Sequence, residues 1–335
     1  MSFLIRQTLI YAIPLMIVAL AGIFAERSGV INLALEGIMI FGAFIGVLFV
    51  RILQATGCMD IAKEASNWAA LQGYMFLTML AAAALGALFS MLLAFAAIKL
   101  KADQTIGGTA LNMLAPALVL FLIRVIVNQN NMTLISGDSA TWFMIKKTML
   151  GFAKNDKLNF FQETFLNKVY LSTYICIIIF IVLSIVLYKT RFGLRLRACG
   201  EHPQAADSVG VNVYRMRYAG VAISGALAGV GGLVFVVPTS TNFNATVAGY
   251  GFLALAVLIF GQWRPSRILF AAFFFGLMKT VASAYSGIPF LANLGIPNDV
   301  YKMVPYVATL IVLAFTSKNS MAPRAEGIPY DKGSR

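Results

Sequence analysis

The stretch AGVAISGALAGVGGLVFVV, residues 219 to 237, contains no charged residue. Its length is close to the roughly 20 apolar residues that cross a bilayer as a helix, and residues 175 to 187 form a similar run. In the whole chain of 335 residues, 60% are hydrophobic and 12% are charged, whereas soluble domains have about 45 to 50% and about 25%. The sequence therefore predicts an all-α, polytopic integral membrane helical bundle.

Hydropathy predicts about nine membrane crossings, with a range of about 8 to 10. They lie near residues 7 to 24, 30 to 50, 73 to 98, 106 to 127, 170 to 188, 218 to 237, 250 to 262, 265 to 285 and 303 to 316. Two are irregular: Glu26 and Arg27 interrupt the first pair, and the run 250 to 262 is short and precedes Pro265, which cannot continue a helix. Broken helices at membrane depth lie inside protein or along a wet cavity, so they indicate a pathway.

Lys and Arg in short loops predict which ends of the spans face the cytoplasm. Such residues occur in the loop 189–217, at Arg264 and in the tail 317–335. Residues 1–335 are then one transmembrane domain with its N-terminus outside, and the long loop 128–169 is extracytoplasmic. The net charge of +13 is explained by these loops, so no nucleic-acid partner is expected.

Small residues and cysteines give further expectations. Glycines within the spans predict close helix packing inside one subunit, with a subunit interface as the alternative: Gly42, Gly46, Gly225, Gly229, Gly231 and Gly232. Cys58, Cys176 and Cys199 show no metal-ligand spacing, so no metal site is expected.

The segment EHPQAADSVG, residues 201 to 210, contains start and stop signals for a short helix. Pro203 suits the first helical position after Glu201 or His202 as the cap, and Gly210 suits a left-handed stop. Two turns are too few for an isolated helix, so the segment should dock on a partner through a small apolar face. That face would comprise Ala205, Ala206 and Val209. The alternative is a basic loop that contacts anionic lipid.

Four motifs together resemble one family. They are ERSGVINLALEGIMIFGAF (26 to 44), KADQTIGGTALNMLA (101 to 115), GLRLRACGEHPQAADSVGVNV (193 to 213) and GYGFLALAVLIFGQWRP (249 to 265). In this order they resemble permease subunits of bacterial ATP-binding cassette (ABC) importers of the branched-chain amino acid, ribose and nucleoside group, and most closely the nucleoside permeases. The resemblance covers roughly residues 8 to 316.

The resemblance implies a multi-pass protein of the bacterial cell membrane that transports nucleosides or similar small polar solutes. It identifies the segment 201–210 as a coupling helix that contacts a separate ATPase subunit. The residues assigned to this contact are Arg195, Arg197, Glu201, His202, Pro203, Ala205, Ala206, Asp207 and Gly210. Because the chain has no G-x-x-x-x-G-K-[ST] loop, ATP and Mg should bind to the ATPase, and this chain should be neither an enzyme nor a cofactor carrier. The implied partners also include an extracytoplasmic solute-binding protein or lipoprotein and a second permease, with a heterodimer favoured.

Polar residues within spans are candidates for the substrate path. Asn32 and Glu36 are four residues apart and would share one helix face, and Thr105, Thr109 and Asn112 recur at about one helical turn. Each has a structural alternative: Glu36 could pair with Arg27 or a neighbouring helix, and Ser and Thr can satisfy helix carbonyls.

Other functions remain open at this stage. A sugar or branched-chain amino acid importer subunit is the closest alternative. A secondary transporter often shows inverted repeats and several coupling carboxylates, but Glu36 is the one strong intramembrane acid. An integral membrane enzyme needs a catalytic cluster, and His202 is the only histidine.

Overall fold

The computed structural model describes residues 2–59, 67–133, 143–151, 159–240, 242–284, 297–316 and 321–333. The helices in chain order are α1 (Ser2–Glu26), α2 (Leu35–Ala55), α3 (Trp68–Ala94, continued by a π-helical turn at Phe95–Lys99), α4 (Gln104–Val127), α5 (Phe160–Phe165), α6 (Leu171–Lys189), α7 (Arg191–Glu201), α8 (Pro203–Ser208), α9 (Val213–Thr239), α10 (Tyr250–Phe260), α11 (Pro265–Ala284) and α12 (Asn298–Thr316). A 3₁₀ turn covers Lys147–Leu150. Two antiparallel pairs join β1 (Met132–Thr133) to β4 (Asn242–Phe243) and β2 (Met144–Ile145) to β3 (Val169–Tyr170). The predicted all-α class is confirmed.

Within the described residues, seven helices are long and apolar enough to cross a membrane. They are α1, α2, α3 with its π-helical turn, α4, α6, α9 and α11. The predicted crossing 250 to 262 is α10, which has 11 residues and is about 16 Å long at about 1.5 Å per residue. The hydrocarbon core is about 30 Å thick, so α10 is a half-helix and its prediction as a full crossing was wrong.

Helix α9 runs through the core and packs against α1, α2 and α3. The glycines allow this close approach: a Cβ on Gly42 would lie 2.3 Å from Cα of Gly229, and one on Gly86 would lie 2.6 Å from the carbonyl oxygen of Gly225. Such distances exclude a side chain, as expected where backbones of membrane helices meet. The predicted packing of these glycines inside one subunit is confirmed.

The first break separates α1 from α2 and is longer than expected, because residues 27–34 are not helical. Gly29 has a left-handed φ of 94°, and Ile31 N–H donates to Oε1 of Gln104 at 2.7 Å. Asn32 lies in this break, so the prediction that it shares a helix face with Glu36 was wrong. The cause is tertiary, since side chains of α4 replace the hydrogen bonds that a helix would have made.

The second break follows α10 and confirms the expectation from Pro265. Gln262 and Trp263 both have φ of 53°, and Pro265 is the first residue of α11. Tyr188 of α6 donates to the Trp263 carbonyl at 3.1 Å, and Trp263 donates through Nε1 to the Glu26 carboxyl group. The break is therefore held beside the C-terminal end of α1.

The two ends of the bundle differ in character. One end, which we call the basic end, contains the break after α1, the loop 100–103, helices α7 and α8, and residues 321–332, which contact one another. At the opposite end Arg6, near the start of α1, donates to the carbonyl of Asn167 at 3.2 Å. The predicted cytoplasmic segments thus gather at one end and the described parts of loop 128–169 at the other, while their sidedness in the membrane stays a prediction.

Candidate functional site

Glu36 is buried where α2 meets the first turn of α10. Its carboxylate accepts hydrogen bonds from N–H of Gly249 at 2.9 Å and of Gly251 at 2.6 Å. An N-terminal helix turn has unpaired N–H groups and a partial positive charge, both of which a carboxylate stabilises. Glu36 therefore caps the half-helix from another part of the chain, and Arg27 pairs with Glu201 at 3.0 Å instead.

A cluster of aromatic rings and one lysine lies next to this cap. Tyr250 stacks on Phe235 with ring centroids 3.9 Å apart and donates to the Tyr11 carbonyl at 3.4 Å. Nζ of Lys279 lies 5.9 Å from the Tyr250 ring centroid and 6.0 Å from that of Tyr306. We call Tyr11, Phe235, Tyr250, Lys279 and Tyr306 the aromatic–lysine cluster. Sequence reasoning missed it, although a lysine inside the predicted span 265 to 285 was a signal.

Asn32 and Asn112 are occupied by bonds that support the first break. Asn32 Nδ2 donates to Ser224 Oγ at 2.8 Å, and its Oδ1 accepts from Ala34 N–H. Asn112 Nδ2 donates to the Leu33 carbonyl at 2.7 Å, and its Oδ1 accepts from Gly37 N–H at 2.8 Å. Both amides thus hydrogen-bond to backbone groups that have no helical partner at the start of α2, beside Glu36.

The two threonines of α4 stand apart from this group. Thr105 and Thr109 are exposed, and the Thr109 hydroxyl donates to the carbonyls of Thr105 and Ile106 in its own helix. This matches the structural alternative for Thr109. The structure therefore brings together Asn32, Glu36 and Asn112 but not the threonines, and solute contact by any of the five stays a prediction. Sequence reasoning missed Gln104, a buried first residue of α4.

The segment 201 to 210 forms a short helix with the predicted termini. His202 is the N-cap residue of α8, Pro203 is its first residue, and Gly210 follows it with φ of 84°. The preceding arginines form a separate helix, α7, which begins after Thr190, whose hydroxyl accepts from Gly193 N–H. Residues 189–217 thus form two helices at the basic end.

The predicted apolar face of α8 is divided between the inside and the outside of the protein. Ala206 is buried with Cys199, Val213 and Tyr330, whereas Ala205 and Val209 are exposed. Placing Ala206 on a partner-facing surface was therefore wrong, because residues 321–332 already cover that side of α8.

The other residues assigned to the coupling contact are likewise divided. Arg195 and His202 are exposed, and with Ala205 and Val209 they define what we call the docking face. Gly210 is also exposed. Four of the other assigned residues contact other parts of this chain: Pro203 is buried, Glu201 pairs with Arg27, Asp207 lies 3.8 Å from Lys332, and Arg197 lies over the Tyr188 ring.

Residues 321–332, which we call the tail, pack against α7 and α8. Ala325 N–H donates to the Gly200 carbonyl at 2.9 Å, and Gly327 N–H donates to that of Gly29 at 3.3 Å. The buried guanidinium of Arg217 donates to the Ile328 carbonyl at 3.0 Å. The tail therefore connects α7, the first break and α9.

Charged groups fix the tail at two further points. Lys101 and Asp331 pair at 2.7 Å, which raises the pKa of the Lys101 ammonium and lowers the pKa of the Asp331 carboxyl. Burial raises the pKa of the Glu326 carboxyl from 4.5 to about 7, and this group hydrogen-bonds with the Glu26 carboxyl. The docked tail thus favours a protonated Glu326.

The described residues show no group of three or more His, Cys, Asp or Glu side chains that could hold a metal ion. Cys199 is buried, and burial raises the pKa of its thiol to about 11. A thiol with this pKa is a small apolar side chain at neutral pH rather than a nucleophile.

Comparison with known proteins gives a consistent set of relatives. Residues 4–313 match a family described as the permease component of the branched-chain amino acid transport system. The chain is 40% identical to the guanosine ABC transporter permease protein NupQ of Bacillus subtilis, over 100% of this chain and 98% of that protein. It is 38% identical to the nucleoside ABC transporter permease protein NupC of Lactococcus lactis, over 99% and 98%.

A more distant relative is the putative glucose ABC transporter permease protein TsgC13 of Haloferax volcanii. It is 28% identical over 94% of this chain and 92% of its own length. No solved structure matches the chain.

Proposed function

The chain belongs to the permease component family of the branched-chain amino acid transport system, and on that premise we propose that it carries nucleosides through the membrane. As an ABC importer permease it is a multi-pass membrane protein that works with an ATPase and a solute-binding protein. The nucleoside assignment is supported by two relatives of matching length, one named for guanosine and one for nucleosides.

The observation that carries the proposal is the half-helix α10 with its cap and the neighbouring aromatic–lysine cluster. Broken helices in transporters place substrate sites near the middle of the bilayer. The Tyr306 side chain is 44% exposed, and an aromatic ring of this kind can stack on a nucleobase. The Lys279 ammonium, with three N–H donors, can bond to a base carbonyl or a ribose hydroxyl.

We place Glu36, Asn32 and Asn112 behind this surface as groups that shape it. Their polar atoms bond to the backbone of the first break, to Ser224 and to the start of α10. A solute would meet the α10 terminus and the cluster. The cluster is compatible with a nucleobase and also with the C–H face of a sugar, so the preference for nucleosides over the sugar alternative rests on the two relatives named for guanosine and nucleosides.

The energy comes from the partner ATPase, which binds ATP and Mg. The docking face is its contact on this chain, because these side chains are exposed and α8 is held in place from behind by the tail. A partner that moves α8 would also move α7 and the first break through the tail. Motion of the ATPase would thus reach α2 and the half-helix.

We further propose a second, non-identical permease as partner. The face of α4 that carries Ile106, Met113 and Phe121 is exposed in this chain and fits either lipid or another permease. Purification of this chain from its native membrane, followed by mass spectrometry of the co-purified subunits, should give two permease sequences. A complex that contains this chain as its only permease would contradict the heterodimer.

The experiment for the solute is uptake of radiolabelled guanosine by the whole importer in proteoliposomes that contain ATP. Unlabelled nucleosides should compete, whereas glucose and leucine should not. Tyr306→Phe should retain uptake, and Tyr306→Ala should raise KM about 5- to 150-fold, the equivalent of about 1 to 3 kcal/mol of base stacking. Lys279→Met should also raise KM, because it removes the proposed donor to the solute. Lys189→Met, the matched control, should not, since Lys189 is exposed at the end of α6. Competition by glucose but not by nucleosides would overturn the proposal.

A further inference from the structure

A cavity of about 730 Å³ opens at the basic end, separate from the aromatic–lysine cluster. Its walls come from the first break, α6, α7, the junction of α10 with α11, and the tail. Four of its lining residues are arginines, and Glu201 is the one acid among the lining residues that the structure describes. These arginines are Arg27, Arg197, Arg264 and Arg324.

Two of the guanidinium groups are held in fixed positions. The Arg27 side chain is 13% exposed and pairs with Glu201, and the Arg197 guanidinium lies 4.8 Å from the centroid of the Tyr188 ring. Nε of each is buried without a hydrogen-bond partner among the described residues. A buried N–H without a partner is unfavourable, and a bound acceptor would remove that cost.

The other two arginines supply charge that no side chain of the cavity balances. Arg264 and Arg324 are exposed, and Glu201, which is already paired with Arg27, provides a single negative charge. Guanidinium groups match phosphate oxygens in both geometry and charge. The cavity volume lies within the range of about 300 to 1,000 Å³ that holds small molecules, and Pro265 and Met321 add apolar wall for the rest of a ligand.

We propose that this cavity binds a phosphate-bearing anion of about nucleotide size. The phosphate comes either from a soluble phosphorylated molecule of the cytoplasm or from a phospholipid headgroup, since Ser184 and Tyr188 of the spanning helix α6 reach the same cavity. A neutral nucleoside would leave the arginines unbalanced, so this site is not the transport site. A bound phosphate would join Arg197 of α7 to Arg264 beside α11 and to Arg324 of the tail.

The test uses the whole importer complex, purified in detergent and freed of lipid. Inorganic phosphate and guanosine monophosphate are titrated by calorimetry into the native complex, the double variant Arg264→Gln/Arg324→Gln, and the control Arg191→Gln/Arg267→Gln. The control removes two exposed arginines, one from α7 and one from α11, neither of which lines the cavity. Nucleotide sites on the ATPase are the same in all three samples, so only differences between samples report on the cavity.

A second arm tests the lipid source. The same three complexes are placed in nanodiscs of phosphatidylcholine with or without phosphatidylglycerol, and native mass spectrometry then measures retained phosphatidylglycerol. We expect at least one of the three probes, phosphate, guanosine monophosphate or phosphatidylglycerol, to bind to the native and control complexes. Its affinity or retention should fall about tenfold or more in the cavity variant, Arg264→Gln/Arg324→Gln, as for loss of a charge-assisted hydrogen bond.

The arm that shows this loss identifies the source. A loss with guanosine monophosphate or phosphate indicates a soluble ligand, and a loss with phosphatidylglycerol alone indicates a headgroup. Equal binding of every probe by the cavity variant and the control, or no binding of any probe to the native complex, would overturn the proposal.

Discussion

Replacement of Glu36 by Gln should weaken the half-helix rather than the affinity for solute. The native carboxylate accepts two backbone N–H bonds, at 2.9 and 2.6 Å. Gln retains one acceptor oxygen, but its amide NH₂ group would face the second N–H. The change therefore removes one hydrogen bond to a charged group, worth about 1.5 to 3 kcal/mol, and a favourable charge at a helix N-terminus, worth about 0.3 to 1 kcal/mol.

The expected loss in the free energy of unfolding is therefore about 2 to 4 kcal/mol, if the two terms are added. Thermal unfolding of the purified complex should show a midpoint several degrees lower, and less complex should assemble in the membrane. Guanosine uptake per assembled complex should keep its KM. Glu163→Gln is the control for loss of a carboxylate, because Glu163 is exposed on α5 at the opposite end of the bundle.

The reasoning fails if Glu36→Gln leaves the unfolding midpoint and the assembled amount unchanged while KM for guanosine rises. That result would mean that the carboxylate bonds to solute, and that the N–H groups of Gly249 and Gly251 find other acceptors. Glu36→Asp separates the two roles further, because it keeps the charge but shortens the reach to α10.

Three further predictions follow from the packing. Ala205→Trp, on the docking face, should reduce pull-down of the ATPase and leave the fold intact. Ala206→Trp should instead overpack the chain's own interior, at a cost of about 1 to 3 kcal/mol, and so lower thermal stability. Equal effects of the two variants on thermal stability would contradict the division of α8 into a buried and an exposed side. Gly42→Leu should prevent assembly because of the 2.3 Å contact with Gly229, and Gly73→Leu, which meets nothing within 4 Å, should be tolerated; normal yield of the Gly42 variant, measured by size-exclusion chromatography, would refute this. Since the pKa of Glu326 is raised from 4.5 to about 7 in the docked tail, its contribution to docking is complete below about pH 4.5 and is lost as pH rises through about 7. The protection of tail amides, expressed as the intrinsic exchange rate at each pH divided by the measured rate, should therefore be lower at pH 8 than at pH 6. Glu326→Gln should reduce that difference in protection, and an unchanged difference would contradict the role of Glu326.

Local stereochemistry explains which parts of the fold were predictable from the sequence. Pro203 and Gly210 set the limits of α8, and Pro265 ended the half-helix, because each restricts its own backbone whatever surrounds it. Apolar runs predicted seven of the nine proposed spans correctly among the described residues, since every long stretch without charge has to be buried in lipid or protein. These features need no knowledge of distant contacts.

Features that depend on distant parts of the chain were missed or wrong. Asn32 was expected in a helix, but Gln104 and Asn112 of α4 hold that backbone in a non-helical form. Ala206 was expected on an outer surface, but the tail covers it. The aromatic–lysine cluster joins five helices, so hydropathy could point to Lys279 alone and not to the tyrosines around it.

The position of the tail also has a practical consequence for the handling of this protein. Lys332 lies 3.8 Å from Asp207 in α8, so a fluorescent protein or affinity tag fused after residue 335 would begin within a few residues of α8, which carries the proposed docking face. The start of α1 lies at the other end of the bundle, beside Asn167. Purification handles and optical reporters placed before α1 would leave the proposed docking face clear, so they are the better choice for isolation of the importer together with its ATPase.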